Sequence, residues 1–242
     1  MQLIIIQKLK EPLVLPVNHQ HILQSIIYHN LITANGFSDH LHDNGYVYGK
    51  RKYKLFTFSW LQGNYTYNKS EKTITFYDKV TLEVRSTDIN MLQILAENIK
   101  KNGIHYNENH VQDVKLILKD HTIEFEKVHI KMETPVCVYS TNPENHFTKY
   151  YSPSNPEFSK LINDNFCRKY IAYYGLSPEE SIDITPINVT DEDEKVIKFQ
   201  NSYICGWKGE YLLTGKRKYL DFLFQTGLGS KNSQGFGMWT NL

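Results

Sequence analysis

Residues 227–237 read Gly227-Leu228-Gly229-Ser230-Lys231-Asn232-Ser233-Gln234-Gly235-Phe236-Gly237. They form two glycine–apolar–glycine units around a polar linker that carries one lysine. Glycine takes positive φ without steric cost and lets a second backbone approach closely. Stacked amides beside a lysine make a cradle for a phosphate oxygen. The plainer reading is a tight corner that serves only the last strand. Two familiar phosphate loops fail here. A P-loop needs Gly-Lys-Ser/Thr opening a helix, whereas this lysine follows Ser230 and the helical pattern comes before the glycines. A dinucleotide fingerprint needs a third glycine where Asn232 stands, and no helical pattern comes after it.

Working outward, residues 215–226 read as a short helix with Leu220, Leu223 and Phe224 on one face. A final strand spans 236–240. Upstream, 128–139 reads as a strand pair or one bent strand. Asn155-Pro156 opens a helix with Pro at its first position and Phe158, Leu161, Ile162, Phe166 and Ile171 as its apolar residues, ending near Gly175. Extended runs at 182–189 and 196–200 flank the acidic run 191–194, read as a solvated hairpin tip. Another extended stretch covers 203–213. The first half has the same order. A strand at 3–9 precedes a helix from Asn18, its cap, to about 35, with Ile22, Leu23, Ile26, Ile27 and Leu31 in one stripe. Strands come next at 53–61, 73–77 and 80–85. Thr87 caps a second helix with Met91, Leu92, Leu95 and Ile99, stopping near Asn102-Gly103. A strand at 111–118 completes the half.

Two βαββαβ units in tandem predict an α+β chain of two ferredoxin-like domains, 1–125 and 126–242. The repeat is one of element order only. No Gly/Ser or Pro-rich linker separates the halves, so their sheets are expected to pack closely.

Composition sets outer limits. The chain has 242 residues, 40% hydrophobic and 13% aromatic, which suits a real core and argues against disorder. Apolar runs fall far short of the roughly 18 residues of a membrane helix. No secretory-signal pattern opens the sequence, and Cys137, Cys167 and Cys205 are scattered without metal spacing, so a reducing, cytoplasmic setting is expected. The net charge of +1 forbids coating a polyanion by bulk charge. The positive charge is instead clumped, at Lys50, Arg51, Lys52 and Lys54 and again at Lys216, Arg217 and Lys218.

The glycine-rich segment resembles the C-terminal loop of the CRISPR-associated endoribonucleases of the Cas6 type, in the RAMP superfamily. The resemblance covers essentially the whole chain: its length, its tandem βαββαβ order and the loop's place near the C-terminus. Pro16-Val17-Asn18-His19-Gln20, with Leu23-Gln24 and Ile26-Ile27-Tyr28, is similar to that family's first helix. Leu41-His42 and Lys54-Leu55-Phe56-Thr57-Phe58-Ser59 resemble the segment after that helix. The family resemblance implies maturation of CRISPR RNA without a cofactor or metal. CRISPR repeat RNA is the implied partner, with a CRISPR effector complex and a second copy of the chain as further candidates.

Such a reaction needs a base for a ribose 2′-OH, an acid for the leaving 5′-oxygen and positive charge at the crowded phosphorus. The nucleophile is internal to the RNA, and the products are a 2′,3′-cyclic phosphate and a 5′-OH. Carried over by motif, the catalytic set is Tyr28, His42 and Lys54. Tyr28 stands about 140° from the apolar stripe at roughly 100° per residue. With an ordinary pKa of about 10 it suits positioning or donation better than base catalysis. Histidine is the natural acid or base near neutral pH. His42 has His40 as its alternative; the pair flanked by Asp39 and Asp43 also offers a weak metal spacing. Lys54 has Lys52 as its alternative, because the segment between His42 and Lys54 is longer and more basic than the family pattern. RNA phosphates are expected at Lys52, at Lys216, Arg217 and Lys218, and at the loop residues Gly227, Gly229, Ser230, Lys231, Asn232, Ser233, Gly235 and Gly237. Two other classes stay open: a non-catalytic RNA-binding subunit that scaffolds guide RNA, and a small-ligand or nucleotide-binding protein using the loop.

Overall fold

The computed structural model describes residues 1–32 and 45–242. Its first half is one antiparallel sheet with two helices on one face. The elements are β1 (Gln2–Lys8), β2 (Leu13–Pro16), α1 (Gln20–His29), β3 (Phe56–Phe58), β4 (Gln62–Asn68), β5 (Thr73–Ser86), α2 (Ile89–Asn102) and β6 (Val114–Lys119). The 14-residue β5 organises the sheet. β1 and β2 run along one of its edges, β3 and β4 along the other, and β6 pairs with the outer side of β1. Counting β1/β2 and β3/β4 as one column each, the spatial order is fourth, first, third, second.

The second half repeats this with β7 (Lys127–Met132), α3 (Glu157–Tyr174), β8 (Asp183–Asn188), β9 (Glu210–Thr214), α4 (Arg217–Thr226) and β10 (Trp239–Asn241). Its sheet order is β8-β9-β7-β10, the same arrangement read from the other edge. Each half is therefore βαββαβ with ferredoxin-like strand order, as the element pattern predicted.

Alternation explains the first core. Leu3 and Ile5 on β1, with Val80, Leu82 and Val84 on β5, are fully buried beneath the stripes of α1 and α2. Each such side chain contributes about 1.5–3 kcal/mol by leaving water. The second core packs Ile130, Tyr211 and Leu213 against Phe158, Ile162 and Phe166 of α3 and Leu220 and Leu223 of α4. The opposite face of the first sheet meets the second half. Arg85, 3% exposed, donates to the Trp239 carbonyl oxygen over 2.6 Å, and its guanidinium lies 3.7 Å from the Phe224 ring centroid.

Several local expectations change. Asp88, not Thr87, caps α2: its carboxylate accepts from the Asn90 and Met91 amides, because it is the residue left extended before the first turn. At α1 the N-cap is His19, and no side-chain cap bond is made there. The acidic run 191–194 is no hairpin tip. β8 pairs with β9, whereas Glu194–Phe199 pairs with Ser202–Trp207 in a separate hairpin. The stretch 203–213 is two strands, because Gly209 takes a positive φ between them. The sequence pattern shows neither β2 nor β4; β4 is exposed along its whole length, so it carries no burial alternation to read.

Candidate nucleic-acid interface

The glycine segment is folded around its own side chain. Asn232 Nδ2 donates to the carbonyl oxygens of Leu228 (2.9 Å) and Phe236 (3.1 Å), closing the turn from within. The amides of Leu228, Ser230, Gln234, Gly235 and Gly237 all donate inside the protein. Much of the amide array expected to hold phosphate thus builds the loop's shape instead. All four glycines have positive φ. At Gly237 a Cβ would overlap the Leu228 carbonyl oxygen, and at Gly235 it would lie 2.8 Å from the Phe58 ring, so both positions need glycine.

The first half of the chain grips this loop. Thr57 Oγ1 donates to the Phe236 carbonyl oxygen, Trp60 Nε1 to that of Gly235, and Gln24 Nε2 to that of Ser233 over 2.6 Å. Tyr28, one turn beyond Gln24, shares a hydrogen bond with the Ser233 side chain. Burial pushes the Tyr28 phenol up to about 12, with that hydrogen bond pulling the other way. Its ring meets Phe56 edge-on at 5.9 Å. Positions 24 and 28 lie four residues apart on α1, which is why both face Ser233.

Beside the loop lies a cleft of about 360 Å³ between the two halves. Among the described residues five basic side chains line it, Arg51, Lys52, Lys54, Lys169 and Lys231, and no carboxylate does. Ser230, Asn232 and Ser233 form its loop wall. The hairpin Tyr46–Tyr48/Arg51–Tyr53 brings the first lysines there. It is anchored on the second half by Tyr46, whose ring meets Tyr173 of α3 at 5.2 Å. A chain with net charge +1 thereby concentrates positive potential in one concave place.

The sequence-predicted residues divide. Lys52, Lys54 and the loop residues Ser230–Ser233 share the cleft, with Tyr28 tied to it through Ser233. His42 and His40 lie outside the described residues. Lys216, Arg217 and Lys218 do not join the cleft. They sit at the N-terminal end of α4, and the loop begins at its other end, about 15 Å away by helix rise. There Lys216 pairs with Glu179 at 2.8 Å and Glu180 at 3.0 Å, which raises its pKa, and Lys218 lies 3.7 Å from Glu179.

Sequence reasoning missed Asn165 and Lys169. Both lie on α3 at the stripe of Phe158, Ile162 and Phe166, and both line the cleft. Lys169 Nζ donates to the Gly227 carbonyl oxygen (2.6 Å) and to Asn232 Oδ1 (3.3 Å). Burial pushes this ammonium down to about 7. A lysine at a core-facing helix position was the signal available in the sequence. Among the described residues no group of three or more His, Cys, Asp or Glu side chains gathers as a metal site, and no helix is long and apolar enough to cross a membrane.

Two adjoining ferredoxin-like units with a glycine-rich segment held between them make this a double ferredoxin-like protein. Residues 14–121 match the family model for the N-terminal part of CRISPR-associated protein Cas6, and 118–240 match the model for its C-terminal part. The chain belongs to the Cas6 family. It is 24% identical over 236 residues to CRISPR-associated endoribonuclease Cas6 1 of Methanocaldococcus jannaschii, across 95% of this chain and 88% of that protein. Among solved structures, one called CRISPR associated protein Cas6 superposes with a TM-score of 0.77 at 23% identity, over 100% of this chain and 99% of that one. The product of a Cas6-related gene from Pyrococcus furiosus gives 0.81 at 20% identity, over 100% and 98%. A structure described as a RAMP protein binding different RNA substrates gives 0.80 at 19%, over 100% and 98%.

Proposed function

We propose that the protein is an endoribonuclease that cuts precursor CRISPR RNA within its repeats, and that the cation-lined cleft is where the strand is held. The observation that supports this most is the lining: among the described residues, five basic side chains, no carboxylate, and a loop wall of small polar residues. A phosphodiester is the ligand such a surface suits.

The reaction is attack of a ribose 2′-OH on the adjacent phosphorus, so cleavage needs no added nucleophile and no metal ion. Lys54, with Lys52 as the alternative, balances charge on the crowded phosphorus. The Tyr28 phenol keeps its proton at neutral pH and serves as a hydrogen-bond donor or as an orienting group for Ser233. His42, with His40 as the alternative, supplies the proton transfer. Lys216, Arg217 and Lys218, remote from the cleft, give a longer RNA a second contact. The units 1–125 and 126–242 act as the two jaws of the cleft. A CRISPR effector complex would receive the product, and a second copy of the chain is a further partner.

Repeat RNA incubated with the protein in EDTA tests this. Cleavage is expected, with 2′,3′-cyclic phosphate ends, and none with a 2′-deoxy nucleotide at the cut site. Cleavage of the deoxy substrate overturns the mechanism. Tight binding with no cleavage identifies the scaffolding subunit instead.

A further inference from the structure

The strand β4 leaves one edge of the first sheet without a partner. Among the described residues it pairs only with β5, and no further backbone hydrogen bond reaches residues 64–68. The edge is firmly held. β2 pairs with the far side of β5 over residues 73–76, so β4 is the outer member of three strands there. At the tip, Asn68 Oδ1 accepts from the Ser70 and Glu71 amides at 3.1 and 3.2 Å and pins the turn. The Tyr65 ring packs on the buried Phe76 at 5.9 Å.

A free edge is a template for another strand, and soluble proteins blunt it with charge, proline or a bulge. Residues 62–68 carry no charged residue and no proline. The register shift of this strand falls between Gly63 and Asn64, at the margin of the stretch, and leaves 64–68 regular. Tyr65 and Tyr67, on one face, are 59% and 55% exposed.

The sequence of the edge selects its partner. Residues 64–68 read Asn64-Tyr65-Thr66-Tyr67-Asn68, the same in both directions. A two-fold axis through Thr66 therefore sets Asn64 against the second copy's Asn68, Tyr65 against its Tyr67, and Thr66 against its own counterpart. Both kinds of antiparallel residue pair allow such a centre, so the match holds whichever way the outward amides alternate. Two tyrosine pairs then stack on one face of a continuous sheet.

Charge agrees at the ends. Continued past the strand, the same axis carries the second copy's turn 69–72 across Gln62 and Trp60. Glu133 accepts from Gln62 Nε2 there at 3.4 Å, the Lys208 ammonium lies 5.0 Å from the Trp60 ring centroid, and Lys195 lines the same rim. The turn holds Lys69, Glu71 and Lys72, so its lysines meet Glu133 and its carboxylate meets Lys195 and Lys208. We propose that β4 is a self-pairing edge, through which two copies of the chain join their first sheets antiparallel about Thr66. This gives the second-copy partner a surface and does not depend on the RNA reading.

Sedimentation equilibrium of the full chain from about 1 to 100 µM tests it, the range in which a small, transient interface associates. The molar mass is expected to double across that range. Thr66→Lys sets two ammonium groups opposite each other on an exposed strand, and is expected to weaken association at least tenfold while the fold, followed by circular dichroism, is kept. Mild oxidation reads the register. In Thr66→Cys the paired residues lie within disulfide reach and a covalent dimer is expected. In Asn64→Cys the two positions are about 13 Å apart and none is expected beyond the wild-type background. A wild type that stays monomeric at 100 µM overturns the proposal, as does a folded Thr66→Lys that dimerises as the wild type does, or equal cross-linking of the two cysteine variants. A monomer in which Tyr65→Ala and Tyr67→Ala weaken binding of repeat RNA makes the edge an RNA surface and overturns it too. Dimerisation without cleavage of repeat RNA leaves the proposal standing and removes only the endoribonuclease reading.

Discussion

The Lys169 ammonium donates to the Gly227 carbonyl oxygen over 2.6 Å from a position only 2% exposed. This bond closes the end of α4 onto α3 at the point where the glycine loop departs, and the same ammonium reaches Asn232 Oδ1. Among the described residues no carboxylate lines the cleft beside it, and desolvation by burial holds its pKa down, to about 7.

That depression makes stability depend on pH in a definite direction. Unfolded, the lysine keeps its ordinary pKa near 10.5 and binds a proton that the folded form releases above about 7. Between these values the unfolded state holds more protons, so folding stability rises with pH, by at most about 1.4 kcal/mol per unit. Below pH 7 both states are protonated and the slope disappears. Denaturant unfolding from pH 6 to 10 should show the rise in the wild type and lose it in Lys169→Met. The same variant, losing two bonds to the loop, should bind repeat RNA about tenfold more weakly.

Gly235→Ala should separate the loop's docking from the rest of the fold. Its Cβ would meet the Phe58 ring at 2.8 Å, and alanine at φ +84 is strained as well. The expected result is a loss of about 1–3 kcal/mol in folding stability with a larger proportional loss of RNA affinity, read by thermal unfolding and by filter binding. Gly49→Ala is the control, because a Cβ there meets nothing within 4 Å and only its φ of +58 resists.

The two lysines of the basic hairpin region should part in kinetics. Lys54→Ala is expected to slow single-turnover cleavage at saturating protein by about 100-fold or more, with a small change in affinity. Lys52→Ala is expected to act on affinity and to lower the slope of log K against log salt by about 0.7, the share of one phosphate contact on a single strand. Reversed results would assign the catalytic cation to Lys52.

Periodicity carried most of the fold, and its failures have physical causes. The stripes of α1 and α2 were legible because 3.6-residue spacing and burial coincide, and every predicted α2 apolar residue, from Met91 to Ile99, is fully buried. β4 was not, because an exposed strand pairs through its backbone and leaves no side-chain rhythm. Lys52, Lys54 and Ser230–Ser233 could be named from residue type and motif, but nothing in a linear reading brings residue 54 beside residue 231. Lys169 was overlooked for the opposite reason: a lysine reads as surface until its neighbours at 162, 165 and 166 are seen to be buried. Lys216 to Lys218 read as a basic patch because the run contains no acid, and their partners Glu179 and Glu180 lie 36 or more positions upstream.

Tyr28→Phe tests whether the phenol takes part in proton transfer. With its pKa pushed up to about 12, Tyr28 stays protonated throughout any practical assay range. Phenylalanine keeps the edge-on packing against Phe56 and removes only the hydroxyl that meets Ser233. If Tyr28 orients the loop and donates a hydrogen bond, the variant should cut about 10–100-fold more slowly while both limbs of the pH–rate profile stay where they are. The limb near pH 6–7 would belong to the histidine, and His42→Ala should abolish it. A Tyr28→Phe profile that loses a limb below pH 9 would instead make the phenol a titrating participant. That outcome would require its surroundings to change on RNA binding, since burial in the free protein favours the neutral form.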